Sequence, residues 1–258
     1  MNKFVLPYIE MSITTACTLR CRDCGLFTAH YYAHKYRRPE NFDATQLSVD
    51  IDSLLKLVSE IKIFRLIGGE PFLHPEWHLL LNKVCHSEKI KQVEFITNGT
   101  ILPSSNKLNA LKHPKVKVLI SHYGNLSSSF SDLLKLCEDE HIAFSVRCAD
   151  GIWWDPGSTA FRNRSVSQLK NIFNSCWLAK KCRHLLHGKL YICSRDAHGQ
   201  NLGIFPEDEN AYINLRIKNL NERDLNMLLS RDFINSCNYC DGTDTRNLKA
   251  AIQLESDI

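Results

Sequence analysis

Strand-like and helix-like segments alternate along about the first 150 residues of this 258-residue chain. Apolar residues predict five strands, at about 8–14, 61–67, 93–97, 116–121 and 142–148. Helices are predicted between them, at about 43–61, 75–85, 105–112 and 129–140. Such alternation builds a parallel sheet through right-handed crossovers. We therefore expect an α/β fold, a partial, TIM-like β/α barrel of about five to six parallel strands.

The first predicted strand runs into a loop that holds Cys17, Cys21 and Cys24. Four-iron clusters are held by cysteine thiolates, normally four of them. Three ligands in one short loop would leave one iron with an open position, where the amino and carboxylate groups of S-adenosylmethionine (SAM) can chelate. A zinc knuckle or spare thiols are the alternatives, but structural zinc sites generally take four protein ligands, often as paired Cys-x2-Cys units. The triplet therefore favours a SAM-binding [4Fe-4S] cluster.

The Cys-x3-Cys-x2-Cys spacing resembles the signature of the radical SAM superfamily. A second motif, Gly68-Gly69-Glu70-Pro71, ends the second predicted strand and is similar to the family's Gly-Gly-Glu-Pro element. The resemblance implies that the glycines let the backbone approach SAM and that Glu70 takes up the SAM amino group. It also implies reductive cleavage of SAM to a 5'-deoxyadenosyl radical, with the protein positioning the cofactor.

Further SAM contacts are implied at the ends of later strands. Thr97 and Asn98 resemble a family region that contacts the methionyl or ribose part of SAM, although an Asn-Gly pair is also a common turn. Ser121 resembles the family's ribose-binding serine. Arg147 would pair with the SAM carboxylate, or else form a surface ion pair.

One position departs from the family. Many members carry an aromatic residue just before the third cysteine, close to the adenine, whereas this chain has Asp23. The adenine contact would then come from Leu26, Phe27 or the backbone.

A second group of cysteines lies in the C-terminal part of the chain and comprises Cys176, Cys182, Cys193, Cys237 and Cys240. Their arrangement around a predicted hairpin at 185–192 resembles the twitch domain, the shortened relative of the SPASM domain. The resemblance implies a four-cysteine auxiliary [4Fe-4S] cluster, in which Cys176 and Cys182 compete for one place. A zinc ribbon is the alternative. We expect a radical SAM core at 1–155 and a small cysteine-rich appendage with a C-terminal helix at 156–258.

Aromatic and polar residues follow the fourth and fifth predicted strands at one end of the barrel. Trp153 and Trp154 could stack on a sugar ring, and Asp155 could bind its hydroxyls. His122 and Tyr123 follow the fourth strand at the same end. Parallel α/β enzymes place their chemistry at this end, so we expect these residues to contact substrate; packing between core and appendage is the alternative.

A partial barrel with a twitch-like appendage resembles dehydrogenases and dehydratases that act on aminocyclitols and amino sugars. The resemblance implies hydrogen abstraction from a sugar, nucleotide-sugar or cyclitol, giving dehydrogenation, dehydration or epimerisation. Cys148 could return a hydrogen atom in an epimerisation, or it could be a core residue. The alternatives are a peptide-modifying radical SAM enzyme, a glycyl-radical activase, or a non-enzymatic zinc protein. Fold likeness alone does not choose between them.

Composition and charge limit the setting and the partners. The net charge of +4 is too small to indicate nucleic-acid binding by itself. The N-terminus lacks the apolar region of a signal peptide, and no apolar run reaches the ~18 residues of a membrane span. Eleven cysteines without a secretion signal favour a reducing cytoplasm, where clustered thiols bind metal or act in catalysis. We expect a small-molecule substrate, a flavodoxin- or ferredoxin-type reductant, and neither nucleic acid nor membrane as a partner.

Overall fold

The structure is a computed structural model that describes residues 4–33, 38–148, 151–243 and 246–254, apart from the side chain of Cys148. Eight strands form one sheet, and two more form a separate ribbon. The strands of the sheet are β1 (Val5–Thr14), β2 (Glu60–Gly68), β3 (Ile90–Thr97), β4 (Val116–His122), β5 (Phe144–Cys148), β7 (Cys182–Leu186), β8 (Lys189–Tyr191) and β9 (Tyr212–Asn214). The ribbon consists of β6 (Ile152–Trp154) and β10 (Asn247–Lys249).

The sheet is mostly parallel, in the order β5-β4-β3-β2-β1-β7-β8-β9. The six strands from β5 to β7 pair in parallel, and β8 and β9 continue the sheet antiparallel. The five strands predicted in the first half of the chain are all present. This α/β arrangement is consistent with the partial barrel of a radical SAM core.

Seven α-helices connect the strands of the described chain. They are α1 (Ala44–Leu57), α2 (Trp77–Cys85), α3 (Phe130–Asp139), α4 (Val166–Ser175), α5 (Trp177–Lys181), α6 (Ser194–Asn201) and α7 (Glu222–Leu229). Helix α1 begins at Asp43, whose carboxylate accepts the backbone N–H of Gln46 at 2.7 Å and so caps the helix. The predicted helix at 105–112 is a 3-10 helix, Ser105–Lys112.

The two faces of the sheet differ in polarity because side chains alternate along each strand. Ile9, Met11 and Ile13 of β1 are fully buried and belong to the same apolar core as residues of α1 such as Ile51. The intervening Ser12 faces the other side, where its hydroxyl contacts buried histidines. The helices therefore cover one face, and the opposite, inner face carries polar groups.

The sheet crosses the boundary that the sequence predicts at residue 155. Strand β7, which follows that boundary in the chain, pairs in parallel with β1, the first strand of the predicted core. A tight turn at His187 and Gly188 then leads into β8, and both turn residues have positive φ, at 50° and 73°. Positive φ at both positions suits a two-residue hairpin, which glycine favours. The predicted hairpin is thus present, but it extends the core sheet.

Candidate active site

The three-cysteine loop lies at the carboxyl ends of the parallel strands. Cys17 and Cys21 are buried, and Cys24 is half-buried. All three line one cavity of about 180 Å³, which we call the cluster cavity. Its wall also includes Leu19, Leu26, Gly68, Gly69, Thr97, Asn98, Ser121, Tyr123 and Trp153. The structure therefore brings together the cysteine triplet and most of the predicted SAM contacts.

Tyr32 and Arg20 hold the cysteine loop in place. The Tyr32 hydroxyl accepts the backbone N–H of Cys17 at 2.9 Å and donates to its carbonyl oxygen at 3.0 Å. The Arg20 guanidinium lies 3.2 Å from the centre of the Tyr32 ring and donates to the same carbonyl at 2.6 Å. These contacts satisfy the backbone of a buried loop that has no strand or helix partners at Cys17. No sequence pattern predicts either role.

Burial and mutual proximity raise the pKa of thiols in the triplet. Burial raises the pKa of Cys17 to about 12, and the neighbouring Cys24 and Cys21 raise it further. Burial likewise raises the pKa of Cys21 to about 11. Without metal these thiols therefore hold their protons, and cluster binding would release them. Within the part of the chain that the structure describes, no three metal-ligating side chains surround a single ion; a cluster instead distributes its ligands over separate irons.

The two glycines of Gly68-Gly69 allow β2 to end directly against the cysteine loop. A Cβ at Gly68 would collide with the backbone of Thr14, and a Cβ at Gly69 would collide with the backbone of Ala16 and the side chain of Cys17. Hydrogen bonds fix this approach, because Gly69 N–H donates to Thr14 O at 3.0 Å. The glycines thus let the backbone approach the protein's own loop, and they also line the cluster cavity. Their predicted approach to SAM stays a prediction.

Glu70 is fully buried and joins the end of β2 to the end of β3. Its carboxylate accepts hydrogen bonds from the backbone N–H groups of Phe72 (3.1 Å) and Asn98 (2.8 Å) and from the Thr97 hydroxyl (2.9 Å). Burial raises the pKa of this carboxyl to about 7, although these bonds oppose the rise. The structure thus gives Glu70 a positioning role, and its contact with the SAM amino group stays a prediction. Pro71 begins a short 3-10 turn directly after it.

Asn98 connects the end of β3 to the cysteine loop. Its side-chain amide lies 3.6 Å from the Cys17 sulfur and 3.1 Å from the Thr18 hydroxyl. Its side-chain oxygen in turn accepts from the backbone N–H of Thr100 at 3.0 Å. A donor aimed at a ligand sulfur is a common feature around iron–sulfur clusters, whose potentials depend on such bonds.

A second, larger cavity of about 420 Å³ adjoins the first, and we call it the outer cavity. The two share Cys24, Ser121, Tyr123 and Trp153. The outer cavity is also lined by Asp23, Gly25, Arg147, Ile152, Trp154 and Pro156. A molecule in the outer cavity would therefore lie directly beside the cysteine triplet.

Asp23, the residue that departs from the family pattern, is a wall of this outer cavity. It pairs with Arg22 at 2.8 Å on a partly exposed surface. Of the two side chains expected near adenine, Leu26 lines the cluster cavity, whereas Phe27 is buried and packs edge-on against Phe205.

Of the five residues predicted to contact substrate, His122 and Asp155 line neither cavity. His122 stacks on Phe130, with 4.0 Å between ring centres, because it points away from the face that carries Ser121. The carboxylate of Asp155 accepts from Gly157 N–H at 2.8 Å and pairs with Arg246 at 3.2 Å, so it stabilises the loop after β6. The side chain of Cys148 lies outside the described part of the structure.

Four of the five C-terminal cysteines lie near one another, although no three metal-ligating side chains of the described residues converge closely enough to hold one metal ion. Burial raises the pKa of Cys193 well above its usual value, and the nearby Cys176 and Cys240 add to this rise. Burial raises the pKa of Cys237 to about 12, and again Cys240 and Cys176 contribute. Backbone N–H groups point at two of the sulfurs, from Asp196 to Cys193 (3.4 Å) and from Gly242 to Cys240 (3.3 Å).

Cys182 lies apart from this group. It is the first residue of β7, is fully buried and faces Glu10, whose charge raises the pKa of the Cys182 thiol beyond the effect of burial. This placement favours Cys176 over Cys182 as the fourth thiol of the C-terminal set. A strand residue paired with β1 is held in the sheet, whereas Cys176 lies between α4 and α5.

Charged side chains on the inner face were not predicted. Arg65 bonds Glu94 and also Glu10, the latter at 3.3 Å, and Glu10 lines the cluster cavity. Although burial raises it, the pKa of Glu10 stays below its ordinary value because of the neighbouring His184 ring, whose Nδ1 lies 3.8 Å from the carboxylate, and the charge of Arg65. The available signal was the alternation of Glu10 with Ile9 and Met11 in β1.

The mostly parallel sheet, with a cysteine triplet and the two glycines of the Gly-Gly-Glu-Pro turn lining one cavity at its carboxyl edge, has the arrangement of an enzyme that binds SAM at an iron–sulfur cluster. The family model "Radical SAM superfamily" matches residues 11–141, half of the chain. The chain therefore belongs to the radical SAM superfamily, and its cofactors are a [4Fe-4S] cluster and SAM. No helix among the residues described above is long and apolar enough to cross a membrane.

Two curated relatives are similar to part of this chain. GTP 3',8-cyclase of Stenotrophomonas maltophilia (strain R551-3) is 29% identical over 104 residues, 38% of this chain and 28% of that protein. The subtilosin biosynthesis protein AlbA of Bacillus subtilis (strain 168) is 28% identical over 123 residues, 46% of this chain and 24% of that protein. The chain thus spans about a quarter of the length of these relatives. The likeness to each covers less than half of this chain.

One solved structure extends the fold comparison over nearly the whole chain. The structure of BtrN in complex with AdoMet and 2-DOIA aligns with a TM-score of 0.50 at 14% identity and covers 93% of this chain and 94% of that one. At this identity the likeness concerns the fold alone.

Proposed function

We propose that this protein is a radical SAM oxidoreductase with a second four-iron cluster, acting on a small polar substrate such as a sugar, nucleotide-sugar or cyclitol. One observation carries the proposal: the outer cavity, with Trp153, Trp154, Asp23 and Arg147 on its walls, opens directly beside the cysteine triplet. Indole faces stack on sugar rings, and a carboxylate and a guanidinium bind hydroxyl or phosphate groups. Together they suit a polar ring.

The triplet Cys17, Cys21 and Cys24 would hold the SAM-binding cluster. When bound, the cofactors would supply a 5'-deoxyadenosyl radical able to take a hydrogen atom from substrate and, at the second cluster, an acceptor for one electron; the substrate's hydroxyl proton would pass to solvent, which completes a net two-electron oxidation. The chain's own residues shape the space for this chemistry. Tyr123 and Trp153 line both cavities and meet edge-to-face at 5.7 Å, so they would form the wall between SAM in the cluster cavity and substrate in the outer cavity.

The second cluster would be held by Cys176, Cys193, Cys237 and Cys240, which lie near one another. Arg164 donates to the carbonyl oxygens of Cys237 (2.6 Å) and Cys240 (2.7 Å), and so fixes the Cys-x2-Cys turn. Four protein ligands would leave no open iron, so the cluster would transfer electrons rather than bind substrate. A flavodoxin- or ferredoxin-type protein would supply the reducing electron.

The substrate class is tested by anaerobic incubation with SAM, dithionite and separate panels of nucleotide-sugars, amino sugars, cyclitols and peptides. We expect one carbohydrate or cyclitol panel to increase 5'-deoxyadenosine formation and to give a product that has lost two hydrogens or one water, or has been epimerised. Stimulation by peptides alone would instead indicate the peptide-modifying alternative and overturn the proposal. In deuterium oxide, solvent deuterium in an epimerised product that is lost in Cys148→Ala would identify Cys148 as the hydrogen donor.

The role of the outer cavity is tested with Trp154→Ala, because Trp154 lines that cavity and not the cluster cavity. We expect a raised KM for substrate with unchanged SAM cleavage in the absence of substrate. Leu79→Ala is the matched control, since Leu79 is an exposed apolar residue on α2. An unchanged KM in Trp154→Ala would exclude the outer cavity as the substrate site.

A further inference from the structure

The last described stretch of the chain, 246–254, ends beside the three-cysteine loop. Backbone hydrogen bonds join Arg22 N–H to Ile252 O and Leu254 N–H to Arg20 O, both at 2.8 Å. Cys21 and Gln253 form an antiparallel bridge between these bonds. Backbone hydrogen bonds therefore join the three-cysteine loop to residues more than two hundred positions later in the chain.

The side chain of Gln253 points at the sulfur of Cys21. Its oxygen accepts the backbone N–H of Arg20 at 2.6 Å, and its nitrogen donates to Ala251 O at 2.7 Å. Since Arg20 N–H can only donate and Ala251 O can only accept, the amide has one consistent orientation. In that orientation the nitrogen also lies 3.2 Å from Cys21 Sγ. Gln253 is thus a fixed donor to a thiol of the triplet.

We propose that Gln253 is a positioning residue that raises the reduction potential of the SAM-binding cluster through its hydrogen bond to Cys21. A donor to a ligand sulfur draws electron density from the cluster and so stabilises the reduced, more negative form. The Asn98 amide, 3.6 Å from Cys17 Sγ, is a longer contact of the same kind. The inference goes beyond the proposed substrate and rests on Cys21 as a cluster ligand.

The same C-terminal segment also supports the substrate side of the site. Strand β10 pairs with β6, which places Leu248 opposite Trp153. Ala250 N–H then donates to Gly151 O at 2.6 Å, just before the segment reaches the cysteine loop. Because these bonds do not involve the Gln253 side chain, substitution at 253 tests the amide and leaves the docking of the segment in place.

The experiment is a redox titration of the anaerobic holoenzyme followed by electron paramagnetic resonance, without substrate. The signal of the SAM-binding cluster is identified as the one that changes when SAM is added. Gln253→Leu removes the donor, and Gln253→Glu removes it while keeping an acceptor for Arg20 N–H. We expect both midpoint potentials to fall, Gln253→Glu further because it adds negative charge. The expected change for Gln253→Leu is about tenfold in the reduction equilibrium, which is ~59 mV for one electron.

Lys249→Ala is the matched control, because Lys249 is an exposed residue of the same segment, and it should keep the wild-type potential. A wild-type potential in fully loaded Gln253→Leu would overturn the proposal. If Gln253→Leu does not load iron, the same criterion applies to Gln253→Glu: a wild-type potential in that variant would overturn the proposal. Because no substrate is present, the outcome is independent of whether the proposed sugar or cyclitol chemistry is correct.

Discussion

The Tyr32 hydroxyl hydrogen-bonds to both backbone groups of Cys17: it accepts from the N–H at 2.9 Å and donates to the C=O at 3.0 Å. Tyr32 lies in a short 3-10 helix, Thr28–Tyr32, that follows the cysteine loop. The loop therefore returns on itself and supplies the partner for its first cysteine. This contact explains how a loop without regular structure can hold a buried thiol in one position.

Replacing Tyr32 by Phe should loosen the first cysteine. The variant loses two hydrogen bonds and leaves the Cys17 N–H buried without its partner, which should cost about 1–2 kcal/mol of unfolding free energy. We expect faster loss of iron from the reduced holoenzyme on exposure to a chelator, measured by absorbance. Tyr212→Phe, which removes a hydroxyl bonded to Glu207 on the surface, is the control. Equal rates of iron loss in the two variants would contradict the role of Tyr32.

Replacing Gly69 by Ala should displace the cysteine loop. The added Cβ would overlap the backbone of Ala16 and the side chain of Cys17, and overpacking of this kind costs about 1–3 kcal/mol. We expect reduced iron content and loss of SAM cleavage. Gly25→Ala is a matched control in the same loop, because its Cβ would have no described atom within 4 Å. Full iron content in Gly69→Ala would show that the close approach is not required.

Glu70→Gln should change how stability depends on pH. Burial raises the pKa of Glu70 from 4.5 to about 7. A carboxyl with a raised pKa contributes stability that is fully present below the unfolded pKa and is lost as the pH rises through the folded one. The wild-type apoprotein should therefore lose this contribution between about pH 4.5 and pH 7, and the variant should not.

The measurement is denaturant unfolding of both apoproteins at pH 5 and pH 8. We expect the unfolding free energy of Glu70→Gln, relative to wild type, to rise by about 2–3 kcal/mol across this interval. Asp196, whose pKa burial also raises to about 7, is present in both proteins and cancels in the difference. A pH-independent difference would mean that Glu70 stays ionised throughout.

Cys176→Ala and Cys182→Ala should differ in iron content. Cys176 lies beside Cys193, Cys237 and Cys240, whereas Cys182 is held in β7 facing Glu10. We expect Cys176→Ala to lose about half of the iron and Cys182→Ala to keep all of it, with a stability cost of about 1 kcal/mol. Iron loss confined to Cys182→Ala would reverse the assignment of the fourth ligand.

The sequence predicts the core better than the periphery because its signals there are local. The five strands and the cysteine loop at the end of β1 follow from short apolar runs and fixed spacings. The choice between Cys176 and Cys182 depends on β7 pairing with β1, a contact between positions far apart in the chain. The roles of Tyr32 and Gln253 arise in the same way, since neither residue type indicates which backbone or sulfur it will reach.

The inner-face ion pairs and the position of His122 show the limits of pattern alone. Glu10 and Ser12 interrupt an apolar strand with period two, which already indicates a polar inner face. That pattern does not tell which distant residues, such as Arg65, complete the network. The same alternation turns His122 to the opposite face from Ser121. The two residues are neighbours in sequence and both were expected at the site, but of the two only Ser121 lines a cavity.

The central claim, that this radical SAM enzyme carries two clusters, is tested most directly by counting iron and zinc in anaerobically purified wild-type protein. We predict about eight irons per chain and no zinc, from two four-iron clusters. Mössbauer spectroscopy would assign the irons to those clusters. About four irons with one zinc would contradict the claim. The set of Cys176, Cys193, Cys237 and Cys240 would then be a zinc ribbon, which cannot accept an electron.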